Sequence, residues 1–339
     1  MSNKYQPTKA FIDGDPLVYA AAFSAQQTRY YFIEDADAER EKIISPIFSN
    51  AKEAESWRVG EELFEFEMEG VETVRATKEQ RRSILEIGEA REALKRYDEI
   101  LKLYLELAGN SIHSYQVVFT AKGTKFRDHD ELPWKYQGNR KTEKPFHYDA
   151  VREYALLQTR VREIGKGLEA DDYLVSVGEK YGDEAVVLSI DKDIGQMEKG
   201  WFIHVSTTYT GVPYHCNEMG FITREGSIIR GGGALFLCFQ ILHGDDADGF
   251  YGLRKSHKWT KIKAYNWVKD RQLCNPFQLW DDFYSLLHEE LGDHYTYTTH
   301  LGVDTTMVWS DYLNMIADLA YMQRTPGVGF NIYTRIIPF

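Results

Sequence analysis

Residues 9–19 read Lys-Ala-Phe-Ile-Asp-Gly-Asp-Pro-Leu-Val-Tyr, and this stretch decides the fold class. Its first five residues, Lys9–Asp13, predict a short buried strand. Asp15 suits a helix N-cap and Pro16 suits the first helical position, so a helix is expected over residues 17–24. A strand, a tight turn and a helix in this order are typical of the start of an α/β sheet.

The rest of the chain extends this beginning into a central, mostly parallel sheet flanked by helices. Apolar runs of strand length predict further strands at residues 115–120, 185–190 and 201–206. Helices are predicted at residues 148–164, 170–180 and 234–242, with three more helical patterns in 261–323. The fold class is therefore predicted as α/β, followed by a helical C-terminal region.

Residues 34–110 predict an acidic helical insertion. Residues 34–106 carry 20 acidic and 12 basic side chains, which is most of the chain's acidic excess. Thr77 and Gln80 form a capping-box pattern, and apolar residues then recur every three or four positions up to Gly109. We expect this helix to pack on the body of the protein; the alternative is an arm that faces a partner protein or DNA.

Composition limits the class of protein further. The chain has 339 residues and a mass of 39.3 kDa, so about two domains are expected. Its formal net charge is -12, which excludes a surface that is basic throughout and binds nucleic acid in that way. No apolar run approaches the length of a membrane span, and the first nine residues resemble no secretion signal. Three scattered cysteines predict neither disulfides nor a thiolate zinc site, which suits the cytoplasm.

Nine acidic residues form four short clusters at strand ends, at a helix start and in a glycine-flanked loop: Asp13 and Asp15; Glu169, Asp171 and Asp172; Asp191 and Asp193; Asp245 and Asp248. The carboxyl ends of parallel strands open onto the ligand crevice, so these clusters can converge, but only if cations offset their repulsion. Carboxylates without histidine or cysteine partners favour Mg²⁺ or Mn²⁺. Two such ions suit phosphodiester hydrolysis, one activating water and the other stabilising the leaving oxygen. Any single cluster is more simply a helix cap or a turn.

Two basic strips accompany the acids. Residues 122–144 contain seven basic and four acidic side chains, and residues 252–271 contain seven basic and one acidic. Such strips can bind a phosphate backbone, although solvated surface charge is the simpler interpretation of each. DNA contacts are expected at Lys135, Tyr136, Arg140, Lys141, Arg254, Lys255 and Lys258. Trp134 and Tyr136 could stack an unpaired base, but aromatic residues beside a proline more often pack internally.

Five motifs in this order resemble the 5′-nuclease (flap endonuclease, PIN-like) superfamily, and are most similar to the phage 5′→3′ exonucleases of the T-seven type. The motifs are Phe-Ile-Asp-Gly-Asp at 11–15, Val-Val-Phe-Thr-Ala-Lys at 117–122 with Lys-Tyr-Gln-Gly-Asn-Arg at 135–140, Leu-Glu-Ala-Asp-Asp at 168–172, Ser-Ile-Asp-Lys-Asp at 189–193, and Gly-Asp-Asp-Ala-Asp-Gly at 244–249. The resemblance covers residues 10–30 and 115–255 and is absent over 34–110.

The resemblance implies a PIN-like nuclease domain over residues 1–243 and a DNA-binding region over 244–339 that includes a helix–turn–helix module. It implies a first Mg²⁺ held by Asp13, Glu169, Asp171 and Asp172, and a second held by Asp191, Asp193, Asp245 and Asp248, with Mn²⁺ as a substitute. Asp171 would bridge both ions, and Lys122 and Arg127 would contact the scissile phosphate. Arg140 would lie on an arch-like segment through which a 5′ end passes.

Two positions depart from the family pattern. An aspartate usual at the end of the second strand is replaced by Thr120-Ala121, so the first metal loses a ligand. The resemblance then implies either that Asp15 substitutes for this ligand or that the affinity for the metal falls. The turn after the last acidic loop is usually rich in glycine in this family and contacts a DNA phosphate. Here residues 252–258 have one glycine and several cationic residues, so lysine or arginine would contact the DNA phosphate directly.

The expected function is a metal-dependent 5′→3′ exonuclease or 5′ flap endonuclease that hydrolyses DNA, and RNA in RNA–DNA hybrids, during phage DNA replication or degradation. The protein is expected in the cytoplasm and without membrane contact. If it is phage-encoded, this is the cytoplasm of the infected bacterial host. Residues 34–110 are the expected site for a protein partner. Two alternatives stay open: a weakened or inactive nuclease-like protein that binds DNA or protein, and a PIN-type ribonuclease.

Overall fold

The computed structural model describes residues 4–34, 42–59, 76–123, 127, 130–138, 143–165, 167–205 and 211–336. Its strands are β1 Lys9–Asp13, β2 Gln26–Phe32, β3 Arg81–Ile87, β4 Ser114–Thr120, β5 Val161–Ile164, β6 Ala185–Ser189, β7 Trp201–His204, β8 Tyr214–His215, β9 Phe221–Glu225, β10 Ile228–Gly232, β11 His294–Thr298 and β12 Asp304–Val308. Its helices are α1 Gly14–Ser24, α2 Ala51–Arg58, α3 Ala90–Ala108, α4 Tyr148–Leu156, α5 Ala170–Tyr181, α6 Gly233–His243, α7 Arg254–His257, α8 Lys261–Lys269, α9 Pro276–Leu291, α10 Trp309–Ala317 and α11 Tyr333–Ile336.

A six-stranded sheet organises the protein, with strand order β5-β4-β1-β6-β7-β8. β1 lies in the middle and pairs in parallel with β4 and β6, while β8 at the edge is antiparallel. Every residue of β6 is buried, as expected for a central parallel strand covered on both faces. The α/β class and the mostly parallel sheet flanked by helices are confirmed.

The chain divides into two compact units. One consists of Met1–Leu17, Leu101–Glu143 and Ala155–Phe339, and the other of Val18–Ile100 and Lys144–Tyr154. The first unit contains the six-stranded sheet; Leu174 and Val175 of α5 pack there against Val118 and Val187 of the sheet. The same unit has a second core, in which the almost completely buried α6 packs with side chains of α8, α9 and α10.

The second unit contains the antiparallel pair of β2 and β3. Its small core is formed by Phe32, Ala54 and Ala76, with the rings of Phe48 and Trp57 against them. Residues 81–87 were predicted to be helical, and that prediction is wrong. The helix begins only at Ala90, because the backbone of 81–87 is engaged in the ladder with β2. The Gln80 side chain does accept a hydrogen bond from Thr77 N, but this contact closes a turn and not a helix.

One other expected helix is too long, and two hairpins were not expected. The helix predicted over 148–164 ends at Leu156, because Val161–Ile164 pairs with β4 as strand β5. Two antiparallel hairpins, β9–β10 and β11–β12, were not predicted. The alternating His-Tyr-Thr-Tyr-Thr of β11 was the available signal for the second hairpin. The three C-terminal helical patterns are confirmed as α8, α9 and α10.

All three cysteines are free, as predicted. Among the helices that the structure describes, none combines the length and the apolar character that crossing a membrane requires.

Candidate metal centre

The first acidic pair lies at the carboxyl edge of the six-stranded sheet. Asp13 ends β1, and its Oδ2 accepts a hydrogen bond of 2.7 Å from the hydroxyl of Ser189, which ends the neighbouring β6. Asp15 Oδ2 accepts a hydrogen bond of 3.2 Å from the backbone N–H of Thr120 at the end of β4. Three adjacent strand ends therefore fix these two carboxylates, at the edge where ligands bind in α/β sheets.

Asp13, Asp171 and Asp191 share one electrostatic environment. Burial, with the charges of Asp15 and Asp191, raises the pKa of Asp13 to about 8. Burial, with the charges of Asp13 and Asp191, also raises the pKa of Asp171 well above its ordinary value. Carboxylates that resist ionisation together in this way are stabilised in their charged form by a bound cation.

The raised pKa of Asp13 predicts that stability depends on pH in the metal-free protein. The folded state holds the proton up to a pH of about 8, whereas the unfolded carboxyl releases it near 3.8. Between these two pH values the folded state thus binds more protons than the unfolded state. The free energy of unfolding therefore falls as pH rises through this window. We expect Asp13→Asn to gain stability relative to the unmodified protein as pH rises. Urea unfolding in EDTA at about pH 5 and about pH 8 checks this; an unchanged difference between the two proteins contradicts it.

A second group of carboxylates consists of Asp193, Asp245 and Asp248, whose ligand oxygens all lie within 4.8 Å of one another. Asp193 is buried, and its Oδ1 accepts a 2.8 Å hydrogen bond from Gln240 Nε2 of α6. The pKa of Asp193 is raised to about 7, chiefly by burial. The charges of Asp191, Asp245 and Asp248 also raise this pKa, and the charge of Lys192 opposes the increase. Three converging oxygen ligands suit Mg²⁺ or Mn²⁺, and the chemistry of this group therefore fits a divalent ion.

Local backbone structure holds these carboxylates in place. Asp191 Oδ1 accepts a hydrogen bond of 2.8 Å from Asp193 N, which fixes the turn after β6. The loop of Asp245 is closed by paired backbone hydrogen bonds between Asp245 and Phe250. Gly244 begins this loop with φ +87°, and an added Cβ would lie 2.3 Å from Phe250 O, so the tight turn requires glycine.

A lysine lies among the carboxylates of the second group. Lys192 Nζ is 2.5 Å from Asp245 Oδ2 and 3.5 Å from Asp193 Oδ1. Burial would raise the pKa of Asp245, but the ammonium of Lys192, together with the backbone N–H of Ala247, lowers this pKa below its ordinary value. In the absence of a metal ion, Lys192 therefore supplies the positive charge of this group.

Arg127 pairs with two of the residues predicted as ligands of the first metal. Its guanidinium forms ion pairs with Glu169 and Asp172, and donates to the backbone carbonyls of Asp318 and Tyr321. Arg127 is 3% exposed and Asp172 is fully buried. Asp172 also accepts hydrogen bonds from the backbone N–H groups of Glu169 and Gln323. In this arrangement Arg127 positions the start of α5 against the C-terminal segment.

The other site residues predicted in the first basic strip differ in exposure, and two of them fall outside the described residues. Lys122 is exposed in the turn after β4, and Lys135 is exposed. Tyr136 is half-buried, and burial raises its pKa. Trp134 packs against Phe250 and Tyr251, so here the internal-packing interpretation is the one that the structure supports. Arg140 and Lys141 fall outside the described residues.

The basic residues after the acidic loop are mostly engaged with neighbours. Arg254 forms an ion pair with the exposed Asp246, and the ammonium of Lys255 lies 3.4 Å from the centre of the Tyr251 ring. Lys258 is exposed and adopts a left-handed backbone conformation with φ 56°. Of these three, Lys258 presents its charge most openly to a ligand.

A cavity of about 460 Å³ opens beside the second group of carboxylates. Its polar side is formed by Asp191, Lys192, Asp245 and Asp248, and its apolar side includes the rings of Phe202, Tyr214 and Phe221. A ligand in this cavity can therefore reach the carboxylates from solvent.

The sequence did not indicate the roles of Ser189 and Gln240, or the pairing of Arg127 with buried carboxylates. Ser189 and Gln240 hold Asp13 and Asp193, and Arg127 neutralises Glu169 and Asp172. Gln240 had a readable signal, because it is the only side-chain amide in an otherwise apolar helix. The pairing of Arg127 had none, because its partners lie more than 40 residues away in the chain.

Together these observations define an α/β protein with an acidic centre at the carboxyl edge of its parallel sheet. No family model matches the sequence, and no curated protein matches it. Among solved structures, the chain is similar to a mutant of the T5 5′-exonuclease, with 17% identity and a TM-score of 0.36, covering 73% of this chain and 81% of that chain. It is also similar to the T5 D15 protein co-crystallised with metal ions, with 18% identity and a TM-score of 0.37, covering 73% of this chain and 82% of that chain.

Proposed function

We propose that this protein is a metal-dependent nuclease that hydrolyses phosphodiester bonds of DNA from 5′ ends or at 5′ flaps. The observation that carries the proposal is the convergence of Asp193, Asp245 and Asp248, with Asp191 beside them, at a cavity open to solvent. All three residues of the group offer carboxylate oxygens, so the group suits Mg²⁺, with Mn²⁺ as a substitute.

The residues of the centre have distinct proposed roles. Asp193, Asp245 and Asp248 hold one divalent ion, while Asp13, Asp171 and Asp191 are the carboxylates available for a second. Divalent ions at such sites activate water and stabilise charge that develops on phosphate oxygens. Lys122 is the exposed cation proposed to contact the scissile phosphate. Arg127 is buried and paired, so we assign it to positioning Glu169 and Asp172 and not to contact with DNA.

DNA binding is proposed for the exposed basic residues of the region 244–339, with Lys258 as the most accessible cation of its strip. The helix–turn–helix module is proposed for α7 and α8, which follow Asp248 directly. The nuclease domain over 1–243, action on RNA–DNA hybrids, a role in phage DNA replication, and a protein partner for 34–110 stay proposals that follow from the family resemblance.

Two observations favour a second candidate function, a weakened nuclease-like protein that binds DNA. Thr120 stands where an aspartate is usual, and Arg127 already neutralises two of the four carboxylates expected around the first ion. With fewer carboxylates available, this ion is held less tightly, and catalysis by two ions is weakened. This candidate predicts binding of DNA without turnover in Mg²⁺ and in Mn²⁺.

The sizes of the products distinguish these functions. We expect the protein to cut a 5′-labelled flapped duplex near the flap junction, or to release short products from a blunt duplex, with Mg²⁺ and not with chelator. The two duplexes are incubated side by side, together with a single-stranded RNA of the same sequence. Cleavage of the RNA alone would indicate a PIN-type ribonuclease, and binding of the duplexes without any product in Mg²⁺ or Mn²⁺ would indicate the inactive DNA-binding protein.

A further inference from the structure

The ammonium of Lys192 lies inside the group of carboxylates proposed to bind a divalent ion. Its Nζ is 2.5 Å from Asp245 Oδ2 and 3.5 Å from Asp193 Oδ1. These two aspartates and Asp248 have their ligand oxygens within 4.8 Å of one another. A divalent ion bound by the same oxygens would lie a few ångströms from the ammonium, and two such cations repel each other at that distance.

The carboxylates are held by the fold, whereas Lys192 is not. Asp193 N donates to Asp191 Oδ1, and Asp193 Oδ1 accepts from Gln240 Nε2 of the buried helix α6. Asp245 Oδ1 accepts a hydrogen bond from Ala247 N within its own loop. Lys192 reaches the group on a flexible four-carbon stem, and its side chain is 46% exposed. Its ammonium can therefore leave without any change in the backbone that holds the carboxylates.

The cavity beside the carboxylates gives solvent and ligands access to Lys192 as well. The cavity beside the carboxylates is lined by Asp191, Lys192, Asp245 and Asp248. A phosphate that enters this cavity approaches the metal ligands and the released ammonium together, and phosphate is a good partner for a lysine ammonium.

We propose that Lys192 is a built-in counter-ion of this carboxylate group, that a divalent ion binds by displacing its ammonium, and that the displaced ammonium then contacts a phosphate of the bound nucleic acid. The inference rests on the proposed function, since it assigns Lys192 a role at the same centre. It makes Lys192 a positioning and specificity residue that couples metal binding to phosphate binding.

The first consequence is a change in metal affinity, measured without nucleic acid and without turnover. Isothermal titration with Mn²⁺ compares the unmodified protein with Lys192→Met and Lys192→Gln. Without the competing ammonium, we expect both variants to bind Mn²⁺ with a dissociation constant roughly tenfold lower. Lys199→Met, which removes an exposed lysine seven residues away, is the matched control and leaves the constant unchanged. The same dissociation constant in the Lys192 variants and the unmodified protein overturns the inference.

The second consequence is a change in the way metal binding affects DNA affinity. Binding of a 5′-flapped duplex is measured in Ca²⁺, chosen to permit binding without cleavage, and in EDTA. We expect Lys192→Met to bind the duplex several-fold more weakly than the unmodified protein in Ca²⁺, and equally well in EDTA, where the ammonium is still engaged with Asp245. An equal loss in both conditions overturns the displacement, because Lys192 would then contact DNA whether or not metal is bound.

The titrations also separate this inference from the proposed function. Unmodified protein that binds no Mn²⁺ overturns the metal centre and the inference together. Unmodified protein that binds Mn²⁺, loses it in Asp245→Asn and retains the same affinity in Lys192→Met overturns the inference alone. Thermal melting in EDTA checks that the Lys192 variants are folded before titration.

Discussion

Arg127→Met is expected to lower the free energy of unfolding by about 3 to 5 kcal/mol, because it leaves Asp172 buried without its charge partner. Arg127 is 3% exposed, and its guanidinium pairs with Glu169 and Asp172 while donating to two backbone carbonyls of the C-terminal segment. Methionine fills part of the volume but supplies none of these hydrogen bonds. Urea unfolding of the metal-free protein measures the change.

Two variants show whether the loss comes from the uncompensated charge. Arg160→Met removes an exposed arginine that lies over the Tyr115 ring, and a change within about 1 kcal/mol is expected there. The double variant Arg127→Met with Asp172→Asn is expected to recover part of the lost stability, because the buried negative charge is removed with its partner. If Arg127→Met unfolds at the same urea concentration as the unmodified protein, the buried ion pairs of Arg127 with Glu169 and Asp172 do not stabilise the fold.

Asp245→Asn combined with Asp248→Asn is expected to reduce the rate of DNA cleavage in Mg²⁺ by about a thousandfold or more, which corresponds to several kcal/mol of transition-state stabilisation. The two substitutions remove two of the three converging carboxylates while leaving amide oxygens of similar shape. Single-turnover cleavage of a labelled 5′-flapped duplex at saturating protein measures the rate.

The same loop provides a matched control. Asp246 lies between the two substituted residues but is 70% exposed at its side chain and pairs with Arg254 outside the carboxylate group. Asp246→Asn is therefore expected to cleave at a rate within a few-fold of the unmodified protein. Equal loss in Asp246→Asn and in the double variant would show that the loop matters for its shape and not for its ligands.

The acidic centre could be predicted largely because the positions of its residues follow from local rules. Asp13 ends a short apolar strand, and Asp191 and Asp193 lie just after another, so a parallel sheet places them at one edge. Asp245 and Asp248 lie in a loop whose flanking glycines are visible in the sequence. Strand identity and turn chemistry are local properties, and they carry most of this prediction.

The parts that could not be predicted depend on tertiary structure. Residues 81–87 have apolar side chains at spacings that also suit a helix, and only pairing with β2, which is distant in the chain, makes them a strand. Val161–Ile164 is likewise a strand, and not part of the predicted helix, only because it pairs with β4. Likewise, the pairing of Arg127 with Glu169 and Asp172 and that of Lys192 with Asp245 are formed between distant parts of the chain, and no local pattern of the sequence announces them.

The metal centre is tested most directly by anomalous diffraction from a crystal of the protein soaked in Mn²⁺. We expect an anomalous peak within bonding distance of Asp193, Asp245 and Asp248, with the ammonium of Lys192 moved away from Asp245. No peak at these carboxylates at saturating Mn²⁺, with Lys192 still on Asp245, would contradict the assignment of this group as a metal centre.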